Sequence, residues 1–171
     1  MPGLLLYGFG PYDNHETNIS GELVRDMQLP QGVQRRVFDV CFDRSMFIDA
    51  LDACNPDVVI GLGQSTRSRK IRIERKAVNL MGERGEKKRP INRQGPDHLF
   101  MTLVVPHDDR VRLSYDAGTF VCNFSMYVIA GHCLGSDRLV GFVHLPKRYD
   151  KREAEAFVSK LVAQNLLSGR H

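Results

Sequence analysis

The chain has 171 residues, a length that one domain fills and that can bury a core without disulfide or metal staples. Its 42% hydrophobic and 26% charged residues are ordinary globular usage, which excludes disordered and collagen-like classes. The formal charge of +4 and pI near 9.0 allow anionic partners without requiring them.

Leu4 to Tyr7 reads as a short apolar strand closed by the turn-rich Gly8-Phe9-Gly10-Pro11. Ile19 to Met27 has apolar residues at helical spacing and stops before Pro30, and Val33 to Phe42 reads as a strand. Asp43 or Ser45 caps a helix whose Met46, Phe47, Ala50, Leu51 and Cys54 share one face, and Pro56 ends it. Asp57 to Leu62 is a compact apolar run suited to a strand buried on both faces. Ile71 to Leu80 alternates, with Ile71 and Ile73 on one side and Arg72 and Glu74 on the other.

Met81 to His98, polar and rich in Gly, Lys and Arg, reads as a long loop, and Leu99 to Val105 as a short helix or strand. Val111 to Tyr115 is a strand, and Ala117-Gly118-Thr119 turns into a helix reaching about Leu134. Arg138 to Leu145 is another strand, ended by Pro146. In the last helix Asp150 and Glu153 form a capping-box-like pair, Phe157, Leu161, Val162 and Leu166 line one face, and Gly169 suits the C-terminal cap. Strands separated by helices predict a single α/β domain over residues 1–171, with a mostly parallel sheet covered on both faces.

No apolar run approaches a membrane span, and the N-terminal residues lack a basic region followed by a cleavable apolar one. With no CxxC pair among Cys41, Cys54, Cys122 and Cys133, the expectation is reduced thiols in a cytoplasm. His15, His98, His107, His132 and His171 share no metal-ligand spacing, so neither metal nor cofactor is expected. Cys41, Cys54 and Cys133 read as small core residues.

Ligands of open α/β sheets bind beyond the carboxyl ends of the strands. Cys122 lies just past one such end, near a helix N-terminus whose positive potential is expected to lower the thiol pKa. His144 lies near the carboxyl end of the following strand, so if the two strands are neighbours they form a Cys–His pair. Glu74, on a face shared with Arg72 and Lys76, is a candidate to orient the imidazole. Taken singly, each also fits a structural role: a buried thiol, a hydrogen-bonded histidine, a salt-bridged glutamate.

Four separated blocks bear on that choice. They are Gly8-Phe9-Gly10-Pro11-Tyr12 with Asn18-Ile19-Ser20; Gly61-Leu-Gly-Gln64 running into Glu74-Arg-Lys-Ala-Val-Asn79; Ala117-Gly-Thr-Phe-Val-Cys-Asn123 with Met126-Tyr127; and Gly141-Phe-Val-His-Leu-Pro146. In content and order the sequence resembles the pyrrolidone-carboxylate peptidase (pyroglutamyl peptidase I) family. The resemblance implies a three-layer α/β/α sandwich with a mostly parallel mixed sheet, of the phosphorylase/hydrolase-like kind, often a homotetramer. It implies a cysteine peptidase acting on peptides with N-terminal pyroglutamate, through the triad Glu74, Cys122 and His144. By position, Phe9, Tyr12, Phe120 and Val121 would line the lactam pocket, the Gln64 backbone would bond the lactam amide, and Arg84 would lie near the site. Tyr12 stands where the family usually has Phe, and Ile19 where it has Pro.

Two other readings stay open. One is an amidase with the same triad and a more anionic acyl group, selected by Arg84, Lys87, Lys88, Arg89 and Arg93. The other is polyanion binding, because Arg67 to Arg93 holds eleven Lys/Arg against three Glu. That stretch lacks interleaved aromatics and any nucleic-acid motif, which counts against nucleic acid.

Overall fold

A computed structural model describes residues 2–169; His171 lies outside the described residues. The elements follow the predicted alternation: β1 (Leu4–Phe9), α1 (Ile19–Asp26), β2 (Val33–Phe38), α2 (Arg44–Cys54), β3 (Val58–Ser65), β4 (Ile71–Glu74), β5 (Lys76–Val78) and β6 (His98–Phe100). β7 (Val111–Ser114), α3 (Val121–His132), β8 (Leu139–Pro146) and α4 (Lys151–Ser168) complete the chain. Six strands form one sheet in the order β2-β1-β3-β8-β4-β7. The first four run parallel; β4 is antiparallel to β8, and β7 is parallel to β4. β5 and β6 pair antiparallel as a separate ribbon.

The period of two in the central strands divides the apolar residues between two faces. Leu5, Tyr7 and Phe9 of β1 and Val140 and Phe142 of β8 join the helices α2 and α3 in one cluster. Leu4 and Leu6, Val143 and Leu145, and Ile71 and Ile73 of β4 join α1 and α4 in the other. Both faces are thus covered by helices, which is why the central strands β1 and β3 are buried along their whole length. On the α1 face the helix lies unusually close to β1, because a Cβ at Gly8 would come within 2.6 Å of the Ser20 carbonyl oxygen and one at Gly21 within 2.3 Å of that of Phe9.

The helix starts are chemically explained. Asn18, Asp43 and Asp150 each accept from a backbone amide of the first turn, as N-caps do. Gly169 closes α4 by donating to the Asn165 carbonyl.

Three boundaries differ from expectation. The strand from Val33 ends at Phe38, after which Cys41 turns back onto the Asp39 carbonyl and is exposed rather than in the core. Cys54 is half-buried, and only Cys133 is a fully buried core thiol among those three. The alternating run from Ile71 is not one strand: it breaks at Arg75, whose amide donates to Ser114 O at 2.7 Å and whose guanidinium holds the carbonyls of Met101 and Leu103. β4 stays in the main sheet while β5 turns away to pair with β6. Beyond β6 the Met101–Val105 segment is extended coil, tied at Val104 to the buried Asn165 of α4 at 2.8–2.9 Å.

Asn123, fully buried in the first turn of α3, joins that helix to the β5 segment. Its Oδ1 accepts from Val78 N at 2.9 Å, and its Nδ2 donates to the carbonyls of Val78 and Leu80 at 3.0 Å each. Replacing it by alanine strands three backbone groups, so Asn123→Ala is expected to lose about 2–4 kcal/mol in urea unfolding. A change within ~0.5 kcal/mol would contradict the anchoring role.

Candidate active site

The alternation that sorts the core also places polar groups on the α3 face. His144 follows Val140 and Phe142 on the same side of β8, and Arg72 and Glu74 lie on the side of β4 opposite Ile71 and Ile73. In the antiparallel register Arg72 pairs with His144 and Glu74 with Phe142. Glu74 is completely buried, and its Oε1 lies 2.7 Å from His144 Nδ1. A carboxylate oxygen can only accept, so Nδ1 carries a proton, and in the neutral ring Nε2 is the lone-pair nitrogen. Arg72 Nη2 lies 3.2 Å from the same Oε1, forming an ion pair at the rim of this site. Its 3.4 Å approach to Nδ1 is a contact between two donors rather than a second bond.

Cys122 is the second residue of α3, with Phe120 at the N-cap and no side chain capping the first turn. Its open amides point outward from the helix start, as the first amides of any helix do. The sulfur sits over β3: a Cβ at Gly63 would be 2.7 Å from Sγ, and Gly63 is the residue paired with His144. Any side chain at position 63 would therefore displace the thiol.

The route by which Cys122 and His144 meet differs from the one expected. The strand before Cys122, β7, is not a neighbour of β8, because β4 lies between them. It is the loop from Ser114 to Phe120 and the docking of α3 on β5 that bring the thiol back over the sheet.

The sign of the thiol shift also differs. Burial pushes the Cys122 thiol up to about 12, the Glu74 carboxylate adds to this, and Arg72 opposes it. This direction is opposite to the one expected of the helix start, and it favours the neutral thiol near neutral pH. Its pKa is raised from 9.0, so this group's contribution to stability is full below about pH 9 and is lost as pH rises toward 12.

Cys122 and His144 line a common cavity of about 140 Å³ with Phe9, Tyr12, Gln64, Phe120 and Val121. A cavity of roughly 150 Å³ takes one benzene ring, so this one fits a single small ring. Phe9 and Val121 are buried and belong to the core as well, whereas Phe120 is partly open to solvent. Tyr12 is half-buried, and burial, with the nearby Asp13 carboxylate, raises its hydroxyl pKa. Gln64 Oε1 accepts from Ile19 N at 3.1 Å, which assigns the amide orientation and leaves its buried Nε2 without a partner.

Asn18, Val40 and Ala117 also line the cavity. Asn18 stands in the sequence within the first of the four blocks, with no role assigned to it there, and Val40, between β2 and α2, carries no local signal of a site. Glu74 stands behind His144 and does not line the cavity. Arg84 does not reach it either; it lies in a wider cleft outside, which shares Tyr12, Val40 and Phe120 with the cavity. The segment carrying Arg84 is fastened by Gly82 N to Thr119 O at 3.1 Å and by paired bonds between Met81 and Arg89.

Among the described residues no group of three or more His, Cys, Asp or Glu is arranged to hold a metal ion. No helix there is long and apolar enough to cross a membrane.

The model of the family described as pyroglutamyl peptidase matches residues 3–155. The chain belongs to the pyroglutamyl peptidase family. Pyrrolidone-carboxylate peptidase 1 of Ralstonia nicotianae is 33% identical over 172 residues, covering 85% of this chain and 79% of the relative. A pyrrolidone-carboxylate peptidase of Vibrio vulnificus is 33% identical over 168 residues with the same coverage.

Two solved pyrrolidone carboxyl peptidases share the fold. That of Thermococcus litoralis superposes with TM-score 0.85 at 20% identity, over 99% of this chain and 97% of that one. A mutant of the Pyrococcus furiosus protein gives TM-score 0.85 at 23% identity, over 99% and 100%. The mixed, mostly parallel sheet of this family member is therefore the arrangement the sequence predicted.

A neutral resting thiol has a direct signature. Thiolate absorbance of wild type minus Cys122→Ala is expected to stay flat from about pH 5 to about pH 9. A step near pH 6 in that difference would mean a preformed thiolate–imidazolium pair instead.

Proposed function

We propose that this chain is a cysteine peptidase that removes N-terminal pyroglutamate from peptides, with Cys122 as nucleophile, His144 as base and Glu74 as orienter. The observation that carries the reading is one ring-sized cavity holding Cys122 and His144 together, with His144 Nδ1 fixed by the buried Glu74 at 2.7 Å. Family membership supports the reaction class.

The lactam ring suits the cavity chemically. Phe9, Phe120 and Val121 offer apolar walls, and the unpartnered Gln64 Nε2 is a buried donor for a lactam carbonyl. Among the described residues no lysine or arginine lines the cavity, which favours a neutral acyl group over an anionic one. The substrate's free amino end is already closed into the ring, so the site needs no carboxylate to receive an ammonium. Glu74, the acidic group nearby, is committed to His144 and Arg72.

The steps follow from the resting protonation states. Because the thiol is neutral, its proton passes to His144 Nε2 as Sγ attacks the exocyclic pyroglutamyl carbonyl. The carbonyl oxygen becomes an alkoxide facing the uncapped amides at the start of α3; one such donor is worth about 3–4 kcal/mol in related chemistry. The C–N bond then breaks and the departing amine takes the proton from His144. Water, deprotonated by the same nitrogen, cleaves the thioester, releasing pyroglutamate and restoring the thiol. Glu74 compensates the imidazolium in both halves of the cycle and keeps the ring in the Nδ1–H tautomer. No step draws on a residue from a second copy.

Release of a fluorogenic amine from its pyroglutamyl amide, with a reducing agent present, tests this reading. Wild type should turn over, Cys122→Ala should lose at least about a thousandfold, and Glu74→Gln at least about a hundredfold in kcat. Turnover by Cys122→Ala within tenfold of wild type would rule out the assigned nucleophile.

A further inference from the structure

The cavity for the acyl ring is free of cations, yet the clefts outside it are rich in them. One cleft, of about 810 Å³, is bordered by Arg67, Arg69, Lys70, Arg72 and Arg112, with Asp116 as its single carboxylate. Asp116 Oδ1 accepts from Gly118 N at 2.9 Å, and among the described residues Arg72 is the one cation there paired with a carboxylate, Glu74. The other cleft, of about 690 Å³, holds Arg67, Arg84 and Lys88 against Asp13 and Glu83. Lys88 Nζ is held on the carbonyls of Gly82 and Glu83, so it is not free to swing away.

These clefts flank the acyl cavity on two sides. The second shares Tyr12, Val40 and Phe120 with it. The first meets it through adjacent residues, since Arg72 touches His144 and Asp116 precedes the cavity residue Ala117. Arg67 lines both clefts and makes no ion pair among the described residues. With the ring buried against Gln64, the rest of a substrate can leave the cavity along either of these surfaces. On either course it passes Arg67.

Resting on the peptidase reading above, we infer that the chain prefers substrates whose leaving portion is acidic: peptides with Asp or Glu, or a nearby C-terminal carboxylate, just after pyroglutamate. A single solvated pair contributes little. A cleft in which unpaired cations of one sign converge focuses their field on the approaching substrate and sums several such terms. The preference therefore acts on capture, kcat/KM, and weakens with salt.

The test compares kcat/KM for matched short peptides, pyroglutamate followed by Glu, Gln or Lys, each with an amidated C-terminus. The expected order is Glu over Gln over Lys. At low ionic strength Glu should exceed Gln by about tenfold, narrowing toward equality near 1 M salt. In the double variant Arg67→Gln/Arg69→Gln the Glu-to-Gln ratio should fall to about two or less, and Arg67→Lys should restore part of it. Circular dichroism of the variants guards against misfolding as the cause. Equal cleavage of all three peptides by wild type would overturn the inference while leaving the peptidase reading intact. Cleavage of none of them would overturn both.

Discussion

Everything at this site depends on one buried hydrogen bond, that between Glu74 and His144. A carboxylate with no solvent exposure is costly unless partnered, and the partners here are an imidazole at 2.7 Å and a guanidinium at 3.2 Å. The antiparallel placement of β4 beside β8 creates this meeting, since it sets Arg72 across from His144 and Glu74 one step further in. The same strand pairing spends its other face on Ile71 and Ile73, which pack on α4 and α1. Orientation of the imidazole is thus part of the core rather than an addition to its surface.

The thiol completes the pair under a different constraint. Its helix is pinned by Asn123 to β5, its sulfur occupies the space that Gly63 leaves empty, and burial keeps it protonated at rest. A protonated thiol that lines the same cavity as an oriented imidazole would make proton transfer part of the proposed attack. Charge is further divided in space: among the described residues no Asp, Glu, Lys or Arg lines the small cavity, and several cations border the clefts beyond it. A small neutral ring and a charged remainder would each meet a matching surface.

Much of this was legible from residue order. The strand and helix alternation, the N-caps Asp43 and Asp150, and the opposite facing of Ile73 and Glu74 follow from local periodicity and capping chemistry. Four features were not legible, each because it depends on long-range packing. The position of β4 between β8 and β7 is a matter of sheet order, which no local pattern encodes. The break at Arg75 arises from bonds to Ser114, Met101 and Leu103, far along the chain. The upward shift of the thiol reflects desolvation, whereas the sequence displays only the helix start that would act in the opposite sense. Val40 likewise enters the cavity only because the chain leaves β2 at Phe38 and folds over the site.

The claim that Glu74 fixes the tautomer of His144 is the one on which the rest stands, and nitrogen-15 NMR of the histidine side chains reads it directly. At neutral pH the account predicts His144 protonated at Nδ1 and unprotonated at Nε2, with a downfield Nδ1–H resonance that disappears in Glu74→Gln. A His144 ring carrying its proton on Nε2, unchanged when Glu74 is replaced, would contradict it.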